Sequence, residues 1–261
     1  MGLECGCSFG NVLELVEWNA DTNALLLAVH PVNQKYTLEI SVETLDAAQA
    51  AERGGADRVE LCENLSVGGL TPSTELMRAL RAQVRIPIFV MIRPRAGDFV
   101  YSDAEFAEMK HSILEVKESR MHGVVLGVLT KERRVDVERT RELVELARPL
   151  PVTFHRAFDE IADLHQALED VIKTGASRIL TSGGAKTAAH GAVVLSELVT
   201  AAENRIIIVP GAGNNAANIS LVMQKTGARE FHSGLSTALP YGSHEYERFE
   251  EEVRRLVEQL A

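Results

Sequence analysis

Residues 153–159, Thr-Phe-His-Arg-Ala-Phe-Asp, place an imidazole, a guanidinium and a carboxylate within five positions at the end of a short apolar run after Pro151. An imidazole titrates near neutrality, so His155 suits acid–base work or metal ligation, and Asp159 is near enough in sequence to orient it or another group. The arrangement recurs along the chain: Glu39 sits in Leu-Glu-Ile, Glu60 and Cys62 in Val-Glu-Leu-Cys, Arg93 and Arg95 follow Val-Met-Ile, and Glu-Phe carries His232 and Ser233. Polar groups repeated inside or just after strand-like runs describe a ring around a site.

Each member implies a chemistry. Glu39 and Glu60 can share a proton, bind a cation or divide the roles of acid and base. Equally, each can be a salt-bridge partner of Arg93 or Arg95, because buried charges persist when paired. Two guanidiniums at one strand end need anions, either protein carboxylates or a substrate carboxylate or phosphate. Arg93, Arg95, Asp98 and Arg156 are therefore candidate substrate contacts. Ser182 and Gly183 follow one apolar run, Gly211 and Gly213 the next, and His232, Ser233 and Gly234 the one after. Such glycines, after strands and before helices, can turn backbone amides toward an anion. Cys62, with Met91 as a second soft donor, is what a Cu(I) ion would need; its other reading is a small buried residue. Cys5 and Cys7, one residue apart, can chelate a soft ion or be two reduced thiols on a terminus.

A repeating βα chain must hold these groups. Strand-like runs fall near 37–41, 57–62, 86–92, 123–129, 151–155, 178–181, 206–209 and 229–233. Amphipathic stretches separate or follow them near 43–53, 73–83, 103–119, 136–148, 163–174, 187–203, 215–225 and 244–260. Eight βα units predict an α/β fold, a single parallel (β/α)8 TIM-type barrel over 37–261, with 1–36 as an N-terminal extension, poorly ordered or irregular. An open doubly wound sheet is the alternative. Gly-Ala-Asp-Arg-Val at 55–59, Gly-Ala-Ser-Arg-Ile at 175–179 and Gly-Ala-Arg-Glu-Phe at 227–231 each close a helix and open a strand, which suits glycine at a left-handed helix end. In a barrel the outer strand faces pack on helices, so the flanked polar residues point inward and converge at the strand C-termini.

Composition narrows the class. The 261 residues, 46% hydrophobic and 25% charged, can bury a full core. A net charge of -10 argues against nucleic-acid binding. Three cysteines fit a reducing cytoplasm rather than a disulfide framework. The apolar run at 24–29 is too short for a membrane span, and Gly2 lacks the Ser or Thr at position 6 of a myristoylation signal.

The motifs resemble those of the copper homeostasis CutC family. The matching stretches are 52–62 (Glu-Arg-Gly-Gly-Ala-Asp-Arg-Val-Glu-Leu-Cys), 68–73 (Gly-Gly-Leu-Thr-Pro-Ser), 91–98 (Met-Ile-Arg-Pro-Arg-Ala-Gly-Asp), 101–103, 151–159, 180–183, 211–213 and 230–233. The resemblance implies a TIM-type barrel, cytoplasmic location, a homo-oligomer and a role in copper handling. It also implies copper ligation by cysteines near the ends of the first two strands. Cys62 matches the second, whereas Ser41 stands where the first often has cysteine; a hydroxyl is a poor Cu(I) donor, so copper binding is expected to be weak or indirect. Two other readings stand beside it: an enzyme that acts on a phosphorylated or carboxylated metabolite by acid–base chemistry, and a non-catalytic oligomeric scaffold.

Overall fold

The computed structural model describes residues 36–235 and 244–261 with their side chains, and the backbone of two strands, β1 (Asn11–Asn19) and β2 (Ala24–Pro31). Cys5, Cys7 and Gly2 lie outside the described residues. The chain divides into two units, Met1–Lys35 and Tyr36–Ala261. In the first, β1 and β2 pair antiparallel, from Asn11 opposite Pro31 to Asn19 opposite Ala24.

The second unit alternates strand and helix eight times: β3 (Thr37–Val42), α1 (Leu45–Gly54), β4 (Arg58–Leu61), α2 (Thr74–Gln83), β5 (Ile88–Met91), α3 (Asp103–Glu118), β6 (Gly123–Leu126), α4 (Val137–Ala147), β7 (Val152–Phe154), α5 (Leu164–Thr174), β8 (Arg178–Thr181), α6 (Ala192–Ala202), β9 (Ile207–Pro210), α7 (Ile219–Thr226), β10 (Glu230–Ser233) and α8 (Tyr246–Leu260). The strands form one parallel sheet in the order β10-β3-β4-β5-β6-β7-β8-β9. This is the expected (β/α)8 architecture. At the seam between β9 and β10, a side chain bridges the strand ends: Asn214 Nδ2 donates to the carbonyls of Pro210 (2.9 Å) and His232 (3.0 Å).

Local chemistry explains the element ends. The three Gly-Ala repeats terminate α1, α5 and α7 with Gly55, Gly175 and Gly227 at φ of 96°, 83° and 68°, a region open to glycine at no side-chain cost. Thr44, Ser73, Ser102, Asp136 and Asp163 cap the helices that follow them, Ser102 in a reciprocal box with Glu105. Alternation then sorts each strand: on β3, Leu38, Ile40 and Val42 belong to the main apolar core, while Glu39 and Ser41 are buried on the other face. Two helices start later than expected, at Ala192 instead of 187 and at Ile219 instead of 215. Thr187 takes the His190 amide and carries the Gly191 amide on its carbonyl, and Asn215 accepts from Ala217 N; both segments spend their first residues as turns. No helix among the described residues is long and apolar enough to cross a membrane.

Candidate functional site

The lower barrel interior is an ion network. Arg58 Nε donates to Glu39 Oε2 (2.5 Å), Arg58 Nη2 to Glu230 Oε2 (2.9 Å), and Arg178 Nε to the same Glu230 oxygen (2.9 Å). Both guanidiniums lie over the Phe89 ring, at 4.7 and 5.2 Å. Arg58, Arg178 and Glu230 are the fourth residues of the three Gly-Ala repeats, so one turn geometry delivers all three to one layer. Glu39 is thus paired by an arginine, but by Arg58 rather than Arg93 or Arg95, because the β3–β4 register sets Glu39 opposite Arg58.

Above this layer, His232 Nδ1 meets Glu39 Oε1 at 2.8 Å, and its Nε2 lies 3.8 Å from Glu60 Oε2. Burial alone would raise Glu39, but the Arg58 charge and the His232 hydrogen bond and charge outweigh it and hold the carboxyl at about 2. Among the described residues Glu60 is hydrogen-bonded to no arginine, and the His232 ring edge lies 3.8 Å away. Its burial, reinforced by the Glu39 charge and only partly offset by His232, pushes it up to about 7. Burial works against charge on His232, yet the Glu60 charge and the Glu39 hydrogen bond raise it above the ordinary imidazole value. The Cys62 thiol donates to Glu60 Oε2 across 3.6 Å, and Glu60 Oε1 is buried with no partner.

Across the barrel, His155 caps a short 3-10 turn, its Nδ1 accepting the Ala157 amide at 3.2 Å. Nε2 is buried and unpartnered. Burial, and then the nearby Arg93 charge, push His155 down to about 3. Arg93 is fixed by the carbonyls of Val67 (2.9 Å), Gly69 (3.1 Å) and Gly97 (2.9 Å), with its guanidinium 4.9 Å from the Phe99 ring centre.

A cavity of about 560 Å³ opens here, lined by Glu60, His232, Arg93, His155, Arg156, Asp159 and Gly213 among the expected residues. Ser41, Phe99, Lys186 and Thr187 also line it. Phe99 and Lys186 were not legible as site residues, being single side chains in loops of unknown length and path. Other expected residues stand elsewhere. Glu39 lies among the ion pairs below. Arg95 binds Asp98 (2.8 Å) and Glu105 (2.5 Å) beside the α3 cap, and neither Arg95 nor Asp98 lines the cavity. Asp159 does not reach His155. Its carboxylate accepts from Thr181 Oγ1, the Ser182 hydroxyl, the amides of Ser182 and Gly184, and Arg156 Nε. The glycine-loop amides after β8 are therefore occupied by an internal anion. Gly183 N turns to Thr181 Oγ1, Gly211 N to the Thr181 carbonyl, and Ser233 Oγ to the Asn214 carbonyl.

A model of the CutC family matches residues 36–237. The chain belongs to the CutC family. A human copper homeostasis protein cutC homolog is 44% identical over 76% of this chain and 72% of its own length. A CutC family protein of Vibrio vulnificus is 45% identical over 77% and 82%. A solved CutC structure from Streptococcus agalactiae superposes with a TM-score of 0.72 at 34% identity, over 76% of this chain and 98% of the other.

In this CutC chain Cys62 is fully buried, packed with Phe89, Met91 and Val125. Burial, then the charge and hydrogen bond of Glu60, raise its thiol well above the ordinary value. Thiolate, the form that binds metal, is disfavoured there. Among the described residues, Glu39, Glu60 and His232 form a further donor group, with ligand atoms within 4.8 Å of one another. It suits a harder cation than Cu(I), and Arg58 and His232 already engage both Glu39 oxygens.

Proposed function

We propose that the chain takes part in copper homeostasis, the role its relatives' names give them, with weak or indirect copper binding. In this reading the pocket at the strand C-termini serves a small carboxylated or phosphorylated metabolite on which Glu60 moves a proton. The observation that carries the reading is the pair of buried, unpartnered atoms, Glu60 Oε1 and His155 Nε2, in one cavity. A carboxylate held near neutrality is suited to take and return protons at physiological pH. Arg156 and Lys186 at the cavity wall supply positive charge for an anionic group. A single thiol with a raised pKa, with serine rather than cysteine at position 41, is a poor Cu(I) donor set.

Residues 1–36 are in this reading an accessory extension to the barrel at 37–261, and the protein works in the cytoplasm as a homo-oligomer. Light scattering on purified protein tests the subunit number. Thermal-shift screening with carboxylated and phosphorylated metabolites tests the pocket. An anionic compound is expected to stabilise the protein, and Lys186→Ala and Arg156→Ala should each weaken its binding about 10-fold. No stabilisation by any anion, or an unchanged response in both variants, overturns the reading. For copper, a mild competing chelator is expected to strip Cu(I) from the protein; stoichiometric retention that falls in Cys62→Ala would instead make Cys62 a ligand.

A further inference from the structure

We propose that the reaction in this pocket is removal and return of a proton on a carbon beside a carbonyl, with Glu60 as base and neutral His155 as donor to the carbonyl oxygen. The substrate class is then an α-hydroxy or α-oxo carbonyl compound that carries a phosphate or carboxylate. This rests on the anionic-metabolite reading above and adds to it the bond that breaks.

The position of the His155 proton carries much of the argument. Nδ1 accepts the Ala157 amide, so in the neutral ring the hydrogen is on Nε2. That N–H is buried and unpartnered in a ring lining the cavity. The ring is clamped: Phe99 lies 4.8 Å away centre to centre, and a Cβ on Gly127 would come within 2.6 Å of the imidazole. Arg93, pinned by three carbonyls, lies close enough for its charge to disfavour a second proton on the ring. A fixed neutral N–H in a buried wall is a donor for an oxygen that gains negative charge, not a carrier of protons.

Glu60 supplies the complementary part. It is on β4 and His155 follows β7, three strands apart in the order of the sheet, so the two approach from different walls. Its Oε2 is occupied by the Cys62 thiol and His232, leaving Oε1 for a substrate hydrogen. In the step, the C–H bond breaks, its electron pair becomes the carbon–carbon π bond, the carbonyl π pair moves onto oxygen beside His155 Nε2, and the proton passes to Glu60 Oε1. Return of that proton to the same carbon restores the carbonyl, and in D2O it returns as a deuteron. No electrons leave and no co-reactant is consumed. A carboxylate base paired with a neutral imidazole is an established arrangement for such enediol chemistry, and a cavity of about 560 Å³ is ample for a small phosphorylated metabolite.

The test uses the full chain in D2O with three probes: dihydroxyacetone phosphate, ribulose 5-phosphate and 2-oxoglutarate. Binding is read by thermal shift and exchange by loss of the proton signal on the carbon beside the carbonyl. At least one bound probe should exchange faster with protein than without it. Glu60→Gln should slow that exchange about 10²-fold with binding kept within a few-fold, and His155→Gln should slow it about 10-fold. If Glu60→Gln fails to fold, Glu60→Asp takes its place, with slower exchange expected because the carboxylate is withdrawn. Binding without exchange, or exchange that survives Glu60→Gln, overturns the proton-transfer assignment and leaves the anion site standing. No binding of any probe overturns both.

Discussion

Two buried carboxylates on neighbouring strands, Glu39 and Glu60, are held at about 2 and about 7 by what surrounds them. Glu39 touches the Arg58 guanidinium, whereas Glu60 has a thiol at 3.6 Å and an imidazole edge at 3.8 Å. The sign of the consequence follows from linkage. The folded value of Glu60 lies above the ordinary 4.5, so its contribution is fully present below about 4.5 and is lost as pH rises through about 7. Over that window Glu39 stays ionised, Arg58 stays charged and the Cys62 thiol stays protonated. Urea unfolding from pH 5 to 8 should therefore show the wild type losing about 3 kcal/mol relative to Glu60→Gln; a constant difference would mean that Glu60 is not raised. The two histidines diverge in the same manner. Nitrogen-15 shifts should report His155 as a neutral Nε2–H tautomer from pH 5 to 8 and His232 as imidazolium through pH 6.5; a protonated His155 at pH 6 would remove its proposed role. Alternation in the sequence marked all four residues as inward. It left their pairing open, because Arg58 reads as one charged residue at the start of a strand until the register sets it opposite Glu39.

At the scale of elements the sequence was most legible where one residue type has one physical use. The three Gly-Ala repeats mark helix ends because a left-handed φ strongly favours glycine, and Ser102 marks the start of α3 because its hydroxyl reaches the Glu105 amide. The starts of α6 and α7 were not legible, since Thr187 and Asn215 choose turns over helix through side-chain bonds that periodicity does not register. Gly54 and Gly227 separate two reasons for glycine. At Gly227 (φ +68°) a Cβ would meet nothing within 4 Å, so Gly227→Ala should cost about 1 kcal/mol from backbone strain alone. At Gly54 a Cβ would approach Val253 Cβ at 2.6 Å and the Glu250 carbonyl at 2.8 Å, and α8 would have to move. Gly54→Ala should therefore cost more, on the order of 2–3 kcal/mol. Urea unfolding of the two variants checks the order, and equal losses would mean that α8 does not pack against α1 as described.

Taken whole, the barrel gathers charged groups at both ends of its interior. The net charge of -10 gave no sign of this, because composition averages a carboxylate-rich surface with a cavity where Arg93, Arg156 and Lys186 stand beside Glu60, Asp159 and Glu160. At the other end Arg58, Arg178, Glu230 and Glu39 tie β3, β4, β8 and β10 together in a buried network. In parallel barrels the C-terminal face carries ligands and the N-terminal face stability, so the two ends should respond separately to substitution. Glu230→Gln keeps the volume of the side chain but leaves the buried Arg58 and the largely buried Arg178 guanidiniums short of a counter-charge, and Arg178 Nη1 is already unpartnered. Breaking one partner out of a buried network is worth about 3–5 kcal/mol, to be read as a lower urea midpoint at unchanged slope. The response of the folded variant to an anionic ligand should stay within a few-fold of wild type, since Glu230 does not line the cavity. Arg156→Ala should show the reverse: its side chain is 47% exposed, so stability should change little while the ligand response falls. If Glu230→Gln abolished ligand binding while fully folded, the ion network would belong to the site itself, and the separation of a stabilising end from a binding end would not hold for this barrel.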